Sequence, residues 1–327
     1  MNIEPTIAAL VQHQGSICIL DKIAIPLPYN TDAVACKFGL GAELYMPDID
    51  RAVLRQRSIA FLVDYWRTFP SYVNRFIPEN SNRTKKFKGD PTELLWADCA
   101  ELSIERGYST SMMGMVNIGM KIDSVDPYRA DVLVCRAEEH ELSFVNAHFQ
   151  VCNGQGLPNF EVLLAATLRW CAICQPIHGS AGFAYIFEST QESEYTQQMF
   201  KRFPVFDFQG CVDFSMEARS VHNRIKCVNW LTVLSDALVE ELGGCDKMRA
   251  ALEPVCKVHD YPGGVVIQAG AYPLIGETWS NDIPEAYRLV ARYTKSIRFE
   301  DYDEGLFRVP QGLDMKEETL AWIRRFD

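Results

Sequence analysis

Helix-like and strand-like patterns of apolar residues follow one another in irregular order along this sequence of 327 residues. A regular alternation of strands and helices is typical of doubly wound parallel sheets, whereas an irregular mixture is typical of α+β proteins. Short turn-forming segments between neighbouring strand-like runs favour antiparallel pairing, because parallel strands need a long crossover. The sequence therefore predicts an α+β fold of mixed, mainly antiparallel sheets packed with amphipathic helices.

The predicted elements follow from the spacing of apolar residues and from turn and capping signals. The predicted strands cover residues 16–27, 32–38, 115–122, 131–137, 142–151, 179–187, 255–259 and 265–269. The predicted helices run from Asp48 or Asp50 to Pro70 or Pro78, and over 92–101, 162–174, 192–203, 229–242, 284–293 and from 314 to the last residues. The helix over 229–242 has the clearest ends, because Asn229 can cap its start and Gly243-Gly244 its end.

The length of the chain permits one large domain or two lobes. Residues 153–158, Asn-Gly-Gln-Gly-Leu-Pro, combine turn formers with no hydrophobic pattern. We therefore predict a single unit over 1–327 that can divide into lobes 1–153 and 159–327, with a seam near 153–158.

The charge of the chain limits its partners. Asp and Glu number 43 against 32 Lys and Arg, which gives a formal net charge of −11. A general nucleic-acid binder needs a basic surface to neutralise phosphates, so this balance argues against direct nucleic-acid binding and favours a basic partner. No stretch approaches the roughly 18 apolar residues of a membrane span, so no membrane partner is expected.

Two features predict a reducing, cytoplasmic compartment. The first residues, Met1 to Pro5, lack the basic and apolar regions of a secretory signal. The 11 cysteines are odd in number and lie scattered through apolar segments, which is typical of reduced, buried thiols rather than of a disulfide framework.

Motifs with metal or nucleophile spacing fail on inspection. Cys171 and Cys174 form a single pair in an apolar helix, with no second pair at zinc-site distance. The run beginning His140-Glu141 has Phe144 where a zinc-protease helix needs its second His. Ser180 in Gly-Ser-Ala-Gly follows Gly179 directly, but His178 occupies the glycine position that a nucleophile elbow requires, so a plain loop is expected.

Nucleotide-binding motifs fail too. Two Gly-X-Gly runs, at 39–41 and 154–156, begin a dinucleotide fingerprint, but Leu44 and Asn159 occupy the third glycine position. The sequence therefore predicts no catalytic, cofactor-binding or metal-binding residues, and we expect the chain not to be an enzyme.

Acidic residues fall into four clusters, and we predict that they bind the partner. Solvated faces that only aid solubility are the alternative for any single cluster. Local helix stability does not explain Glu240 and Glu241, because acidic residues in the last turn of a helix oppose its dipole. The predicted partner-binding residues are Glu138, Glu139 and Glu141; Glu188, Glu192 and Glu194; Glu240 and Glu241; and Asp301, Asp303 and Glu304.

The last third of the chain, about residues 225–327, resembles a known family. The residues that carry the resemblance are Val228 to Leu234 (VNWLTVL), Leu242-Gly243-Gly244, Gly264 to Gly270 (GVVIQAG), Pro273, Gly276, Tyr287-Arg288, and Trp322 to Phe326 (WIRRF). They are similar to the bacterial type VI secretion immunity family associated with VRR-NUC nuclease effectors.

The resemblance implies an immunity protein that neutralises a cognate DNA-degrading effector by blocking its active site or DNA path. Such an effector has a basic DNA-binding cleft, which a protein of charge −11 can approach and fill. Tight binding also needs apolar anchors, and we expect most of the candidates, Trp230, Trp279, Tyr287 and Phe307, to lie in the core.

Two alternatives remain open. One is an enzyme that uses a Cys or His nucleophile assembled from distant segments and acts on the toxin. The other is an adaptor of the secretion machinery, which would bind secretion components without protecting the cell. The oligomeric state, the cognate toxin and the stoichiometry are not fixed by the sequence.

Overall fold

The computed structural model describes residues 17–27, 30–79, 81, 83–114, 125–187, 194–219 and 221–327. Twelve strands of these residues form one sheet, in the order β11-β12-β10-β8-β2-β7-β6-β5-β3-β4, with β1 and β9 pairing beside β2 and β8. The strands are β1 (Ala24–Leu27), β2 (Asn30–Tyr45), β3 (Arg75–Ile77), β4 (Lys85–Lys86), β5 (Tyr108–Met113), β6 (Arg129–Val134), β7 (Phe144–Phe149), β8 (His178–Phe187), β9 (Asp207–Phe208), β10 (Leu231–Ser235), β11 (Lys257–Tyr261) and β12 (Gly264–Gln268). Every pair is antiparallel except β8 with β9. The predicted α+β class with antiparallel pairing is confirmed.

The α-helices surround this sheet. They are α1 (Arg51–Thr68), α2 (Thr92–Ala100), α3 (Phe160–Cys174), α4 (Glu194–Arg202), α5 (Cys211–Glu217), α6 (Asp236–Glu241), α7 (Cys245–Leu252), α8 (Glu285–Thr294) and α9 (Met315–Ile323). Two predicted caps are confirmed: the Asp50 carboxylate accepts the backbone N–H of Ala52 and Val53, and Asp314 accepts that of Glu317.

The long central strand β2 shows how the sheet divides its two faces. Leu40, Ala42 and Leu44 alternate with Gly41 and Glu43, and successive side chains of a strand point to opposite faces. The face of Leu40 packs under α1 and α3, where the core is apolar. The opposite face carries polar side chains and is covered in part by α5 and the C-terminal segments.

The segment 229–242 contradicts the prediction of one helix. Residues Leu231–Ser235 form β10, which is buried between β8 and β12, and the helix α6 begins at Asp236. The apolar run Leu-Thr-Val-Leu contains β-branched residues and fits a strand buried on both faces, a pattern that its length alone does not separate from a helix. Gly243 and Gly244, both with positive φ, end the helix as predicted.

Several other predictions meet the structure differently. Ser180 lies within β8, as the predicted strand over 179–187 requires and contrary to the plain loop expected from the failed nucleophile motif. The predicted strand 115–122 lies outside the described residues. The predicted seam at 153–158 falls between β7 and β8, which both pair with β2. The division into lobes 1–153 and 159–327 stays a prediction.

The cysteines are not all free thiols as predicted. Cys18 and Cys152 form a disulfide that joins residues 134 apart in sequence, while the other nine cysteines are thiols and eight of them are buried. The prediction failed because sequence spacing cannot show which isolated cysteines meet in space. No helix within the described ranges is long and apolar enough to cross a bilayer.

Candidate partner-binding surfaces

Three of the four predicted acidic clusters contact one short segment of the chain, which runs from the last residue of α5 to Arg224. The carboxylate of Glu217, the last residue of α5, accepts the backbone N–H groups of Asp303, Glu304 and Gly305 at 2.6 to 2.9 Å. These three bonds fix the loop that carries Asp303 and Glu304 against the end of the helix. Both side chains are exposed, as is that of Asp301.

A few residues further along the chain, His222 contacts the cluster 138–141 and Arg224 contacts the cluster 240–241. The ring nitrogen Nε2 of His222 lies 2.9 Å from the backbone oxygen of His140, within the cluster 138–141. Arg224 forms an ion pair with Glu241 at 3.2 Å. We call this combined surface the acidic face; it comprises residues 138–141, 240–241 and 301–304.

The fourth predicted cluster has no described side chains. Glu188 and Glu192 lie outside the described residues, and Glu194 is the first residue of α4. Within the acidic face, Glu141 is half-buried, and Glu139 pairs with Arg136 at 3.7 Å. The remaining acidic residues are exposed. The sequence alone could not show which of these charges lie near one another.

A groove of about 610 Å³ opens beside the acidic face. Its floor is the polar side of β5, β6 and β7, with Ser111, Asp131 and Asn146, and one wall carries Asp213 of α5 and Glu304. Burial raises the pKa of Asp213. A second hollow of about 200 Å³ contains Glu139 and Glu141 and shares Ser109 and Leu133 with the groove. Basic groups lie among these acidic ones, Arg129 and Arg308 in the groove and Arg106 and Arg136 in the hollow, so charges of both signs line the two adjoining depressions.

A buried charged cluster lies under this face, at the middle of the sheet. The ammonium group of Lys226 donates to the Glu43 carboxylate and to the Phe208 oxygen at 2.9 Å, and lies 3.1 Å from Asp207. Ser180 donates to the other Asp207 oxygen at 2.8 Å. The side chains of Lys226, Glu43 and Asp207 are at most 4% exposed. We call these three residues the buried ion cluster.

Chemistry at the buried ion cluster is limited by its burial. The Cys227 thiol lies 3.3 Å from Asp207, and burial raises its pKa to about 12. Burial lowers the pKa of His178, on the neighbouring strand, to about 3. A reactive cysteine needs a low pKa and access to substrate. The thiol here is protonated and enclosed, which fits a structural role better than the nucleophile of the enzyme alternative.

One group of side chains has the spacing to hold a metal ion. Ligand atoms of Cys135, Glu139 and Glu141 lie within 4.8 Å of one another. Burial raises the pKa of the Cys135 thiol to about 11, so the thiolate that a metal needs is disfavoured. The prediction of no metal site stays untested.

The aromatic candidates separate clearly. Trp230, Tyr287 and Phe307 are at most 3% exposed and belong to the core, as expected for most of the four. Trp279 is 71% exposed and lies in the loop between β12 and α8. Sequence reasoning named Trp279 but missed its exposed neighbours Tyr272 and Leu274. Their signal was three large apolar residues in a segment rich in Gly and Pro, where a core element is not expected.

A family model and a solved structure match this chain. Residues 147–326, more than half of the chain, match the family model TsiV, described as type VI immunity for VRR-NUC. The solved structure titled "Pseudomonas aeruginosa T6SS protein PA0821" has the same fold, with a TM-score of 0.79 and 20% sequence identity. The alignment covers 100% of this chain and 92% of that chain. No curated protein matches significantly.

Proposed function

Because the chain belongs to the TsiV family of type VI immunity proteins for VRR-NUC, we propose that it binds a cognate VRR-NUC nuclease and blocks its active site or DNA path. The observation that carries this mechanism is the acidic face. A nuclease must present a positively charged cleft to DNA phosphates, and an acidic surface of matching shape can occupy such a cleft.

Charge on this surface serves encounter more than final affinity. Exposed charges steer association and raise the on-rate, whereas they add little to the stability of the complex once it has formed. The net charge of −11 acts in the same direction over a longer range. The proposal therefore expects binding that is fast at low salt and slows as salt is added.

The test uses the nuclease encoded beside the gene of this chain. The purified protein is titrated into the nuclease while complex formation and DNA cleavage are followed in the same samples. We expect cleavage to fall in proportion to the amount of complex. A stable complex with undiminished cleavage would favour the adaptor, and no complex at all would contradict binding to this nuclease. Loss of activity that persists after the chain is removed would favour an enzyme that modifies the toxin.

We also propose that protection takes place in the cytoplasm, because DNA, the substrate of such a nuclease, lies there. Disulfides are rare in reducing compartments, so Cys18 and Cys152 are expected as thiols at that location. Rapid alkylation of cells followed by mass spectrometry measures this state. A pair found oxidised in cells would argue against a reducing compartment.

A further inference from the structure

The loop between β12 and α8 exposes three large apolar side chains. Tyr272, Leu274 and Trp279 are 56%, 60% and 71% exposed. We call residues 270–283 the anchor loop. Single exposed apolar residues are normal on protein surfaces, but three large ones in one short loop point to an interaction site.

The anchor loop is held in place by hydrogen bonds to α4. Thr278 donates its backbone N–H to the oxygen of Arg202 at 2.9 Å and its hydroxyl to the oxygen of Lys201 at 2.7 Å. Glu277 and Asp282 exchange two backbone hydrogen bonds of 2.7 and 2.9 Å across the tip. The conformation of the loop is thus fixed without burying its apolar side chains.

Arg202 fixes the orientation of Trp279. Its guanidinium Nε donates to the Glu277 carboxylate at 2.8 Å, and its Cζ lies 4.0 Å from the centroid of the Trp279 ring. Hydrogen bonds from Ser280, and then from Arg202, lower the pKa of Glu277. A stacked guanidinium stabilises an aromatic ring without covering its outer face. Trp279 is therefore ordered before binding, and ordering it costs a partner little entropy.

The surroundings of the anchor loop fit a protein partner. Three carboxylates at its border pair with arginines: Asp260 with Arg249 at 2.7 Å, Glu277 with Arg202 at 2.8 Å and Glu285 with Arg292 at 2.6 Å. An apolar centre inside a border of paired charges matches the usual anatomy of a protein interface, in which aromatic anchors lie inside a polar rim. The net charge of −11 favours a basic partner over an anionic membrane surface or a second copy of this chain.

We propose that the anchor loop inserts Trp279, with Tyr272 and Leu274 beside it, into an apolar recess that adjoins the basic cleft of the cognate VRR-NUC nuclease. This inference rests on the proposed function. The acidic face then speeds encounter, and the anchor loop slows dissociation, because the burial of aromatic anchors dominates the energy of most interfaces.

The test measures binding kinetics of Trp279→Ala and Leu274→Ala with the nuclease encoded beside this gene. We expect Trp279→Ala to weaken binding about 30-fold, mainly through faster dissociation, and to leave the salt dependence of association unchanged. Trp96→Ala is the matched control, since Trp96 is 43% exposed on α2 and lies outside the loop. We expect its affinity to stay within about twofold of the wild-type value.

A second variant tests the ordering of the loop. Glu277→Gln removes the charge that holds Arg202, while it leaves all three apolar side chains in place. We expect about fivefold weaker binding, because the loop must then be ordered on association. Affinity equal to that of the wild-type protein would contradict this part of the inference.

The outcomes separate the two proposals. If the wild-type protein neither binds nor inhibits the nuclease, the proposed function fails. If it does both and Trp279→Ala binds as tightly as Trp96→Ala, the function stands and the anchor loop is excluded. Sedimentation of the chain alone checks the other occupant: a wild-type dimer that Trp279→Ala converts to monomer would overturn the inference. Urea unfolding of each variant shows that a loss of affinity does not come from a loss of fold.

Discussion

The buried ion cluster and the anchor loop each place side chains in the environment opposite to their chemistry. Glu43, Lys226 and Asp207 are charged and almost fully buried, and Tyr272, Leu274 and Trp279 are apolar and exposed. In the cluster, the compensating groups come from the chain itself. In the loop, the chain supplies bonds that fix the backbone while the apolar faces stay in water. A structural feature finds its compensating groups within the chain, whereas a binding surface leaves them to a partner.

The largest expected effect tests the first half of this comparison. Lys226→Met removes the cation that two buried carboxylates share, and we expect a loss of about 3–5 kcal/mol in the free energy of unfolding. The loss comes from buried charges left without a partner rather than from the net value of the ion pair. Urea unfolding followed by circular dichroism measures it.

The matched control for this variant is Lys201→Met. Lys201 also pairs with a carboxylate, that of Glu318 at 2.8 Å, but its side chain is 54% exposed. Exposed pairs contribute about 0–1 kcal/mol, so the control is expected to stay near the wild-type stability. Equal losses in both variants would mean that burial does not distinguish the cluster from a surface pair.

The next effect concerns pH and the buried histidines. Burial lowers the pKa of His148 to about 4 and that of His178 to about 3, whereas a histidine in the unfolded chain titrates near 6.5. The unfolded state therefore binds more protons below pH 6.5. Stability is full above this pH and falls by up to about 1.4 kcal/mol per pH unit for each histidine as the pH decreases towards the folded values.

A variant assigns part of this pH dependence. The ring of His178 packs against those of Tyr45 and Phe214, with centroids at 4.8 and 5.7 Å, so Phe can replace it in an aromatic site. Unfolding midpoints in urea between pH 7 and pH 4 are expected to show a shallower slope for His178→Phe, with His140→Gln, at an exposed histidine, as the control. A slope as steep as that of the wild-type protein would show that His178 does not carry the effect.

The exposed carboxylates of the acidic face can be compared with the buried carboxylates of the ion cluster. Reversing Asp301, Asp303 and Glu304 to Lys is expected to slow association with the nuclease about tenfold at low salt, because encounter is steered by charge. Glu93→Lys/Glu101→Lys/Glu161→Lys makes the same change in net charge on the side of α2 and α3, where all three residues are exposed. Stopped-flow association rates over a salt series compare the two. Equal slowing would assign the effect to net charge alone.

The sequence predicted local structure where the signal lies within a few residues. The caps Asp50 and Asp314 and most helix and strand positions are examples, since capping and apolar spacing act locally. The segment 229–235 was predicted wrongly because its apolar run suits both a helix and a buried strand, and its neighbours β8 and β12 decide between them.

Features that join distant residues could not be predicted. The Cys18–Cys152 disulfide, the cluster of Glu43 with Lys226, and the gathering of residues 138–141, 240–241 and 301–304 all depend on tertiary contacts. The composition predicted an excess of acidic charge, but the place of each charge required the fold. The exposure of Trp279 among four aromatic candidates is of the same kind.

The smallest expected effect completes the comparison. Trp279→Ala should change the free energy of unfolding by no more than about 0.5 kcal/mol, although tryptophan is a large apolar residue, because the ring buries little surface in the free protein. Arg202, on which the ring stacks, is 13% exposed and keeps its ion pair with Glu277 when the ring is removed. Urea unfolding of the free protein measures this change. A loss of several kcal/mol would mean that Trp279 supports the fold as Lys226 does, and the contrast between a structural cluster and a surface anchor would not hold.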